Sequence, residues 1–544
     1  MFRNYLVIIF RNLYKNRIFA LINILGLGLA LAVCIVAYFN HMFAIQFDKQ
    51  NENFEEIYRV NSFRDMQGRD QEYGLVPATL GLEIMKDIPG IEKSARLFRS
   101  WSPVKVDHDV FTRSISYVDP GFLDIFTFHL LSGTKSMIKD KGSVFISHEL
   151  SEVLFGDENP LGKTMSIFND ENEEFVYSIS GIFEDLPDNS SFRIDVLTHA
   201  DNFLKMWKIN DTDWKSWARA LFLLVPNSSS LDGILQGLSE YVPVQNKARE
   251  DFVITGFKLV PLKEVGKNTR EIWSNGLFPG IHPAQVVAPP IMAILILLIA
   301  AFNFANTAIA AAGKRLKEIG LRKMLGGHKR QLMVQFLFEN LLITLLALFV
   351  GIGISKFLVP AYSSMWEYMD ISLNFSEYVN FWFFLLALLI IAGFLAGGYP
   401  ALYISSFSPI AILQGKTRLG SAGMLSRIFL TIQFAISVMA LISGFVFAGN
   451  ATYQETLDLG YDRDKVIVIP AGPDIINRYR EALILHPKVL AAAGTQQHIG
   501  WGNYRRPVED ENQQIEVDVM EVGPEYPQTM GLRLKDGRFF DESR

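Results

Sequence analysis

The sequence predicts a membrane protein: an α-helical transmembrane bundle of five spans with α+β extracytoplasmic domains, arranged as an incomplete two-copy repeat. Three observations carry this prediction. The 544 residues are 49% apolar and 20% charged, too apolar for an ordinary soluble protein and too charged for membrane spans alone. Five stretches each hold about 20 mostly apolar residues, the length that crosses a bilayer. A segment after the first span also matches a segment after the fifth.

The first element, residues 1–17, is predicted to be a cytoplasmic amphipathic helix. Its basic residues fall near one face and its apolar residues on the other, which is typical of a helix lying in the membrane interface. The alternative is that it extends the first span into water. Residues 18–40 are predicted as transmembrane helix 1. We interpret this run as an uncleaved anchor, because it is longer than a signal-peptide core and no Ala-x-Ala-like site follows it.

The alternation of apolar and polar stretches divides the rest of the chain. Residues 41–280 are predicted to form a folded extracytoplasmic domain, and residues 451–544 the start of a second one. Between them we predict four more spans with their connections: transmembrane helix 2 at 286–312, a cytoplasmic coupling segment at 313–332, transmembrane helix 3 at 333–358, an outer loop at 359–379, transmembrane helix 4 at 380–403, a cytoplasmic loop at 404–427 and transmembrane helix 5 at 428–450.

The charge distribution predicts the orientation of the chain. Residues 1–17 carry a net charge of +4, residues 311–330 of +6 and residues 405–427 of +3, whereas residues 41–280 carry −11 and residues 451–544 carry −5. Short basic segments stay in the cytoplasm. We therefore expect a multi-pass protein of the cytoplasmic (inner) membrane, with its amino terminus inside and its large domain outside.

Residues 41–280 contain both helix and strand signals, which predicts a mixed α+β domain. A helix is predicted to start at Pro77, since proline favours the first helical position, and to end before Pro89. A strand at residues 143–146 is expected to lead to Ser147, which caps the helix HELSEVLF. Two strands should follow near TMSIF and FVYSISGIF.

An internal repeat supports the two-copy arrangement. Val118–Gly133 (VDPGFLDIFTFHLLSG) aligns without gaps with Val522–Gly537 (VGPEYPQTMGLRLKDG) at an offset of 404 residues. Pro89 with Pro487, and the Arg-Ile-Phe triplets that open the first and fifth spans, match at nearly the same offset. The sequence therefore predicts a duplicated unit of span, outside domain and three spans. The second copy stops at Arg544, so we expect the chain to be part of a longer protein.

The residues that carry chemistry exclude several classes of protein. Cys34 is the only cysteine, so an intrachain disulfide is excluded. Residues 415–417 (GKT) and 156–164 (GDENPLGKT) resemble phosphate-binding loops, but neither has its glycines at the required spacing. The nine histidines show no paired spacing typical of a metal site. We predict no catalytic, cofactor or metal site, and the net charge of −6 argues against a nucleic-acid partner.

The segment between the second and third spans carries the strongest functional signal. It reads KRLKEIGLRKMLGGHKRQLMVQFLFEN, in which Glu318 and Arg322 have the i, i+4 spacing of a helical ion pair. Gly326 and Gly327 should end this helix. A short charged helix at the inner membrane face suits docking into a groove on a cytoplasmic partner. The alternative is a basic loop that only determines topology.

Three stretches together resemble FtsX-like ABC transporter permeases: KEIGLRKMLGGHKRQLMVQFLFEN, GGYPALYISSFSPIAIL and FRNLYKNRIFALINILGLGLAL. FISHELSEVLFGDENPLGKTM followed by GIFEDLPDNSSF resembles the MacB-like periplasmic core domain. The resemblance implies a cytoplasmic ABC ATPase subunit as the partner, which binds ATP and Mg, with no cofactor in this chain. It also implies a coupling helix that inserts into this ATPase. The role falls on the residues Glu318, Gly320, Arg322, Lys323 and Gly326.

The function expected from this resemblance is that of a non-enzymatic permease subunit. Such a subunit transmits ATPase-driven motion to extracytoplasmic domains, for export or release of substrates at the outer face of the cytoplasmic membrane. A periplasmic adaptor or an envelope enzyme is a further candidate partner, and membrane lipid surrounds the spans. The sequence leaves open drugs, peptides and lipoproteins as substrates. The alternatives are a membrane-anchored envelope sensor or signalling protein, a regulator of a cell-wall enzyme, and a structural envelope protein.

Overall fold

The computed structural model describes most of the chain: residues 17–65, 69–107, 109–267, 272–278, 280–313, 316–326, 328–366, 369–371, 379–406, 424–462, 465–469, 471, 475–496, 498–499, 504–510 and 513–540. The amphipathic helix expected within residues 1–17 lies outside this part, as does most of the cytoplasmic loop expected at 404–427. The chain divides into two compact units, Met1–Phe47 with Gly280–Ala451 and Asp48–Pro279 with Thr452–Arg544.

The described residues form helices and strands in both units. The helices are α1 Arg17–Ile45, α2 Leu80–Asp87, α3 Phe122–Ile125, α4 His148–Phe155, α5 Ala200–Met206, α6 Leu231–Ser239, α7 Val242–Ala248, α8 Leu262–Val265, α9 Pro283–Gly313, α10 Leu316–Met324, α11 Lys329–Ser363, α12 Val379–Ser406, α13 Met424–Thr456, α14 Ile476–Ile484 and α15 Tyr526–Thr529. The strands are β1 Ile57–Asp65, β2 Asp70–Tyr73, β3 Val76–Pro77, β4 Lys93–Val106, β5 Asp109–Val118, β6 Leu130–Ser132, β7 Ser143–Ser147, β8 Thr164–Phe168, β9 Glu174–Phe183, β10 Val196–His199, β11 Trp217–Ala218, β12 Ala220–Leu224, β13 Gly256–Pro261, β14 Tyr504–Asp510 and β15 Gln513–Val519.

The first unit is helical. Among the described residues, five helices are long and apolar enough to cross a membrane: Ala20–Ile45, Pro283–Ala311, Lys329–Ser363, Val379–Ser406 and Arg427–Thr456. These helices account for the apolar stretches of the sequence, because a helix satisfies all of its own backbone hydrogen bonds in lipid.

Small residues let α1 and α11 approach closely. A Cβ atom added at Gly351 would lie 2.9 Å from the carbonyl oxygen of Gly28, so the two backbones are nearly in contact. Polar side chains join the helices as well. Thr307 Oγ1 donates to Asn23 Oδ1 at 3.0 Å, and Tyr362 Oη donates to Asn40 Oδ1 at 3.0 Å. Close packing and interhelical hydrogen bonds are the forces that associate helices in a membrane.

The second unit is built around an 11-stranded mixed sheet in the order β13-β1-β12-β4-β5-β10-β7-β9-β6, with β2 paired to β1 and β8 paired to both β4 and β9. One hydrophobic core covers each face. In β12, Leu221 and Leu223 enter one core, and Ala220, Phe222 and Leu224 enter the other. Successive side chains of a strand point to opposite faces. The fully apolar run ALFLL therefore reflects a sheet that is buried on both faces.

Most local predictions for this unit are confirmed. β7 leads directly into α4, and Ser147 Oγ accepts a hydrogen bond from the backbone nitrogen of Leu150 at 3.2 Å. The two strands expected after this helix are β8 and β9.

The predicted start of a helix at Pro77 is wrong. Pro77 lies in the two-residue strand β3, opposite Trp217, and α2 begins only at Leu80. Proline fits both the first helical position and a strand edge, because neither needs its missing N–H. The backbone pairing with Trp217 decides between them.

Candidate functional site

The coupling segment folds as the short helix α10, which is anchored on one face by an apolar side chain. Ile319 is 4% exposed and belongs to a buried cluster with side chains from the start of α11 and the end of α12, namely Leu332, Phe336, Ala401 and Ile404. Gly320, the next residue, is also buried. Burial of a large aliphatic side chain stabilises a contact by about 1.5–3 kcal/mol, so this face holds α10 against the membrane helices.

Two polar side chains extend this anchorage. Lys323 Nζ donates to the carbonyl oxygen of Ser405, in the last turn of α12, at 2.7 Å. A cation at the C-terminus of a helix is favourable, because the last carbonyl groups carry partial negative charge. Burial lowers the pKa of Lys323, and the nearby charge of Lys329 lowers it further. Arg322 reaches Gln335 Oε1 at 3.3 Å, which ties α10 to α11.

The opposite face of α10 is exposed and combines an ion pair with apolar side chains. Arg322 Nη2 lies 2.6 Å from Glu318 Oε1, so the ion pair predicted from the i, i+4 spacing is present. Leu321, Met324 and Leu325 are 56%, 59% and 80% exposed. Large apolar residues grouped at an exposed surface mark an interaction site more often than scattered ones do.

The two predicted glycines occupy different positions. Gly326 has a φ of +94°, and no atom of the described residues lies within 4 Å of an added Cβ, so its role is to let the chain leave the helix in a left-handed conformation. Gly320 lies on the buried face, next to Ile319. The structure therefore divides the five predicted residues: Glu318 is on the exposed face, Arg322 joins that face to α11, Gly320 and Lys323 face the membrane helices, and Gly326 ends the helix.

Sequence reasoning missed the three exposed apolar residues. Leu321, Met324 and Leu325 have the i, i+3, i+4 spacing of one helical face, and this spacing was the signal that could have found them. The partners Gln335 and Ser405 carry no such signal, because only the packing of three helices brings them to α10.

In the second unit, the segment that follows α1 and the segment that precedes α9 both form hydrogen bonds with Ser191. Asp48 is fully buried and accepts hydrogen bonds from the backbone nitrogen of Ser191 at 2.7 Å and from the hydroxyls of Ser190 and Ser191. The backbone nitrogen of Phe278 donates to the carbonyl oxygen of Ser191 at 3.0 Å. Ser191 thus holds the incoming and the outgoing segment of the domain.

A buried arginine strengthens this junction. Arg59, in β1, is fully buried and donates to both the side-chain and the backbone oxygen of Asn275, and to the carbonyl oxygen of Gly74 at 3.3 Å. Burial lowers the pKa of Arg59 to about 9, and Glu72 opposes this effect. The two terminal nitrogens of Arg59 are thus hydrogen-bonded, whereas its Nε has no partner among the described residues. Because a buried cation is costly without hydrogen bonds, the contacts to Asn275 hold the outgoing segment against β1.

Comparison with known proteins identifies both parts of the chain. Residues 20–240 match the MacB-like periplasmic core domain, and residues 290–409 match the FtsX-like permease C-terminal family. Together with the apolar helices, these matches indicate an inner-membrane protein with an extracytoplasmic domain.

Individual relatives are distant. The macrolide export ATP-binding/permease protein MacB of Pasteurella multocida is 20% identical over 414 residues, which cover 74% of this chain and 59% of MacB. The ABC transporter permease YknZ of Bacillus subtilis is 20% identical over 341 residues, which cover 61% of this chain and 79% of YknZ. A permease domain from Porphyromonas gingivalis, solved by crystallography, has a TM-score of 0.33 at 20% identity, covering 39% of this chain and 91% of that domain. The chain thus spans about three fifths of the length of the Pasteurella multocida MacB protein.

Proposed function

We propose that this chain, which belongs to the FtsX-like permeases with a MacB-like periplasmic core domain, is the permease subunit of an ABC transporter. It would transmit the motion of a separate cytoplasmic ATPase to its extracytoplasmic domain. ATP hydrolysis would take place in that ATPase, which supplies the bound ATP and Mg.

The observation that carries this proposal is the two-sided helix α10. One face packs on α11 and α12 through Ile319 and Lys323, while the other presents Leu321, Leu325 and the Glu318–Arg322 ion pair. A loop that only determined topology would need its basic charges but not a packed face and an exposed apolar face. A helix fixed to two membrane helices can pass on a push that it receives from a partner.

The same proposal gives a role to the junction at Ser191. The segments that connect the membrane helices to the extracytoplasmic domain along the chain would carry motion from one to the other. Asp48 and Phe278 lie in those segments and are both bonded to Ser191. Such fixed attachments would move the domain as a body instead of stretching a linker. The orientation follows from the basic segments: amino terminus and α10 inside, Asp48–Pro279 outside.

We also propose that the chain contains two copies of one unit. The hairpin β4–β5 and the hairpin β14–β15 have the same strand register at an offset of 404 residues, with Val106 opposite Asp109 and Asp510 opposite Gln513. The short helices α3 and α15 begin at the same offset. These correspondences support the repeat that the sequence predicts.

The coupling role is tested by variants of the exposed face, assayed in the full protein purified with its native ATPase. Glu318→Ala removes an exposed ion pair worth about 0.3–0.5 kcal/mol, so folding should hardly change. At a docked interface the same variant leaves Arg322 unpaired, which costs roughly 2–5 kcal/mol. We expect near-normal membrane expression and thermal stability, with at least tenfold weaker ATPase binding and lower ATP hydrolysis. Leu325→Ser should act in the same direction.

Glu83→Ala is the matched control, because it removes the exposed helical pair Glu83–Lys86 in the extracytoplasmic domain. It should leave ATPase binding unchanged. Unaltered ATPase binding and hydrolysis in Glu318→Ala, Leu325→Ser and their combination would overturn the coupling role of α10.

A further inference from the structure

A cavity of about 500 Å³ lies in the extracytoplasmic unit, next to the Ser191 junction, with which it shares Phe278. It is formed by β4, the end of α5, the turn between β11 and β12, and the segment at residues 276–278. This volume is within the range of small-molecule sites in proteins, roughly 300–1,000 Å³.

Two arginines give the cavity a positive wall. Arg99 and Arg219 both line it, and no carboxylate of the described residues lies at ion-pair distance from either. Arg99 donates to the carbonyl oxygens of Arg193 at 3.1 Å and Gly276 at 3.5 Å, but its Nε has no hydrogen-bond partner among the described residues. Burial lowers the pKa of Arg99, the charge of Arg219 lowers it further, and Asp195 opposes both. An anion in the cavity would relieve this excess of positive charge.

Aromatic rings form a second part of the wall. Phe203 and Trp207 are stacked with their ring centroids 4.5 Å apart, and Trp101 at the rim is 71% exposed. The one acidic side chain of the lining is Asp170, which already accepts a hydrogen bond from Trp207 Nε1 at 3.2 Å. Arginine donors and aromatic rings in the lining of one cavity favour a ligand with a negative group and an apolar body.

The cavity adjoins the segment that leads to α9. Gly276 has a φ of +68°, and a Cβ added there would lie 3.2 Å from the Cβ of Arg219. The glycine therefore allows the segment to lie directly against the arginine. Phe278, two residues on, also lines the cavity and is the residue bonded to Ser191. A ligand in the cavity would touch a segment that is continuous with a membrane helix.

We propose that this cavity binds a small amphipathic anion: a carboxylate or phosphate ester that carries an aromatic or short aliphatic group. Arg99 and Arg219 bind the anionic group, and Phe203, Trp207 and Trp101 contact the apolar group. The site needs no ATPase, so it can be tested independently of the coupling role.

The test measures binding of 2-naphthoate to the full-length protein in lipid nanodiscs by equilibrium dialysis, with empty nanodiscs as the blank. The neutral analogue 2-naphthamide has the same shape without the charge, and acetate has the charge without the rings. We expect saturable binding of 2-naphthoate, with at least tenfold weaker binding of both analogues. Arg219→Gln should weaken 2-naphthoate binding at least tenfold, and Trp101→Ala should weaken it several-fold.

Arg219 and Trp101 are exposed, so both variants should fold normally. Lys86→Gln, an exposed lysine outside the cavity, is the matched control and should bind 2-naphthoate as the unmodified protein does. Arg99→Gln should abolish binding, with folding checked by thermal unfolding. Equal affinity for 2-naphthoate and 2-naphthamide, equal affinity for acetate, or undiminished binding in Arg219→Gln would each overturn the proposal.

Discussion

The hairpins β4–β5 and β14–β15 are alike in backbone register and different in surroundings. In the first, Val104 lies opposite Phe111, and in the second Val508 lies opposite Ile515, again at the 404-residue offset. At the end of each hairpin away from its turn, Leu97 pairs with Val118 in the first segment and Thr495 pairs with Val522 in the second. The chain from Thr495 to Asp510, where β14 ends, is six residues longer than the chain from Leu97 to Val106, where β4 ends.

The short helix that follows each hairpin shows the same likeness. Phe122 and Phe126 are both 2% exposed or less in the first segment, and Tyr526 and Met530 are 3% and 2% exposed in the second. The glycine that ends each segment, Gly133 or Gly537, has a φ of +90° or +88°.

The difference lies in what surrounds these elements. β4 and β5 are central in the 11-stranded sheet, whereas β14 and β15 pair only with each other among the described residues. Arg96 and Asp119 form a buried ion pair in the first segment, and glycines occupy the matching positions 494 and 523. One local pattern thus forms the same backbone register in a central pair of a large sheet and in a hairpin that pairs with no other described strand.

The largest expected effect comes from the ion pair that only the first segment has. Arg96 is buried and binds both oxygens of Asp119 as well as Asp211. Arg96→Met should lower the free energy of unfolding by about 3–5 kcal/mol, because it leaves the largely buried carboxylate of Asp119 unpaired. In the second segment Arg480 pairs with Glu525 at 3.0 Å near the surface, so Arg480→Met should cost at most about 1 kcal/mol. Thermal unfolding of the detergent-solubilised protein measures both, and equal losses would contradict the comparison.

Asp48 and Asp458, which follow the first and the fifth apolar helix, should differ in their effect on the pH dependence of stability. Burial raises the pKa of Asp48 to about 6, although the hydrogen bonds from Ser191 and Ser190 favour the charged form. The folded state then holds a proton that the unfolded state has lost, so stability should fall as the pH rises from about 4 to 6. The expected loss is roughly 3 kcal/mol.

Asp48→Asn should remove this part of the pH dependence, which urea unfolding at pH 4, 5, 6 and 7 would measure. Asp458, whose side chain is exposed and accepts a hydrogen bond from the backbone nitrogen of Gly460, provides the control. Asp458→Asn should leave the pH profile as it is. An unchanged profile in Asp48→Asn would assign the pH dependence to other groups.

The smallest expected difference is between Gly133→Ala and Gly537→Ala. Both replacements put a Cβ on a backbone of positive φ, which costs about 1–2 kcal/mol. Only at Gly133 would the new Cβ collide, at 2.3 Å from the carbonyl oxygen of Ser180, whereas no atom of the described residues lies within 4 Å of a Cβ at Gly537. The collision should add about 1–3 kcal/mol to the first variant. Equal shifts in the unfolding temperature would mean that the chain at Gly133 moves away without cost.

The coupling helix shows how far sequence reasoning extends at the candidate site. The i, i+4 spacing of Glu318 and Arg322 predicted an ion pair that the structure contains. The same spacing argument could have separated the exposed face with Leu325 from the buried face with Ile319. It could not have supplied Ser405, which lies 82 positions from Lys323 in the chain. Sequence analysis did not predict the junction at Ser191 for the same reason, because Asp48 and Phe278, which both bond to Ser191, are far apart in the sequence.

Five apolar helices among the described residues and the cap at Ser147 depend on residues that are neighbours along the chain, and the sequence alone predicts them. Local backbone preference and hydrophobic periodicity act within a few residues, so they can be read directly. Tertiary structure decided that Pro77 lies in a strand, that both faces of the sheet are buried, and that Arg99 and Arg219 share one cavity. These features depend on which distant segments pack together. The free energy of packing is set by both surfaces in contact, so it cannot be read from either segment alone.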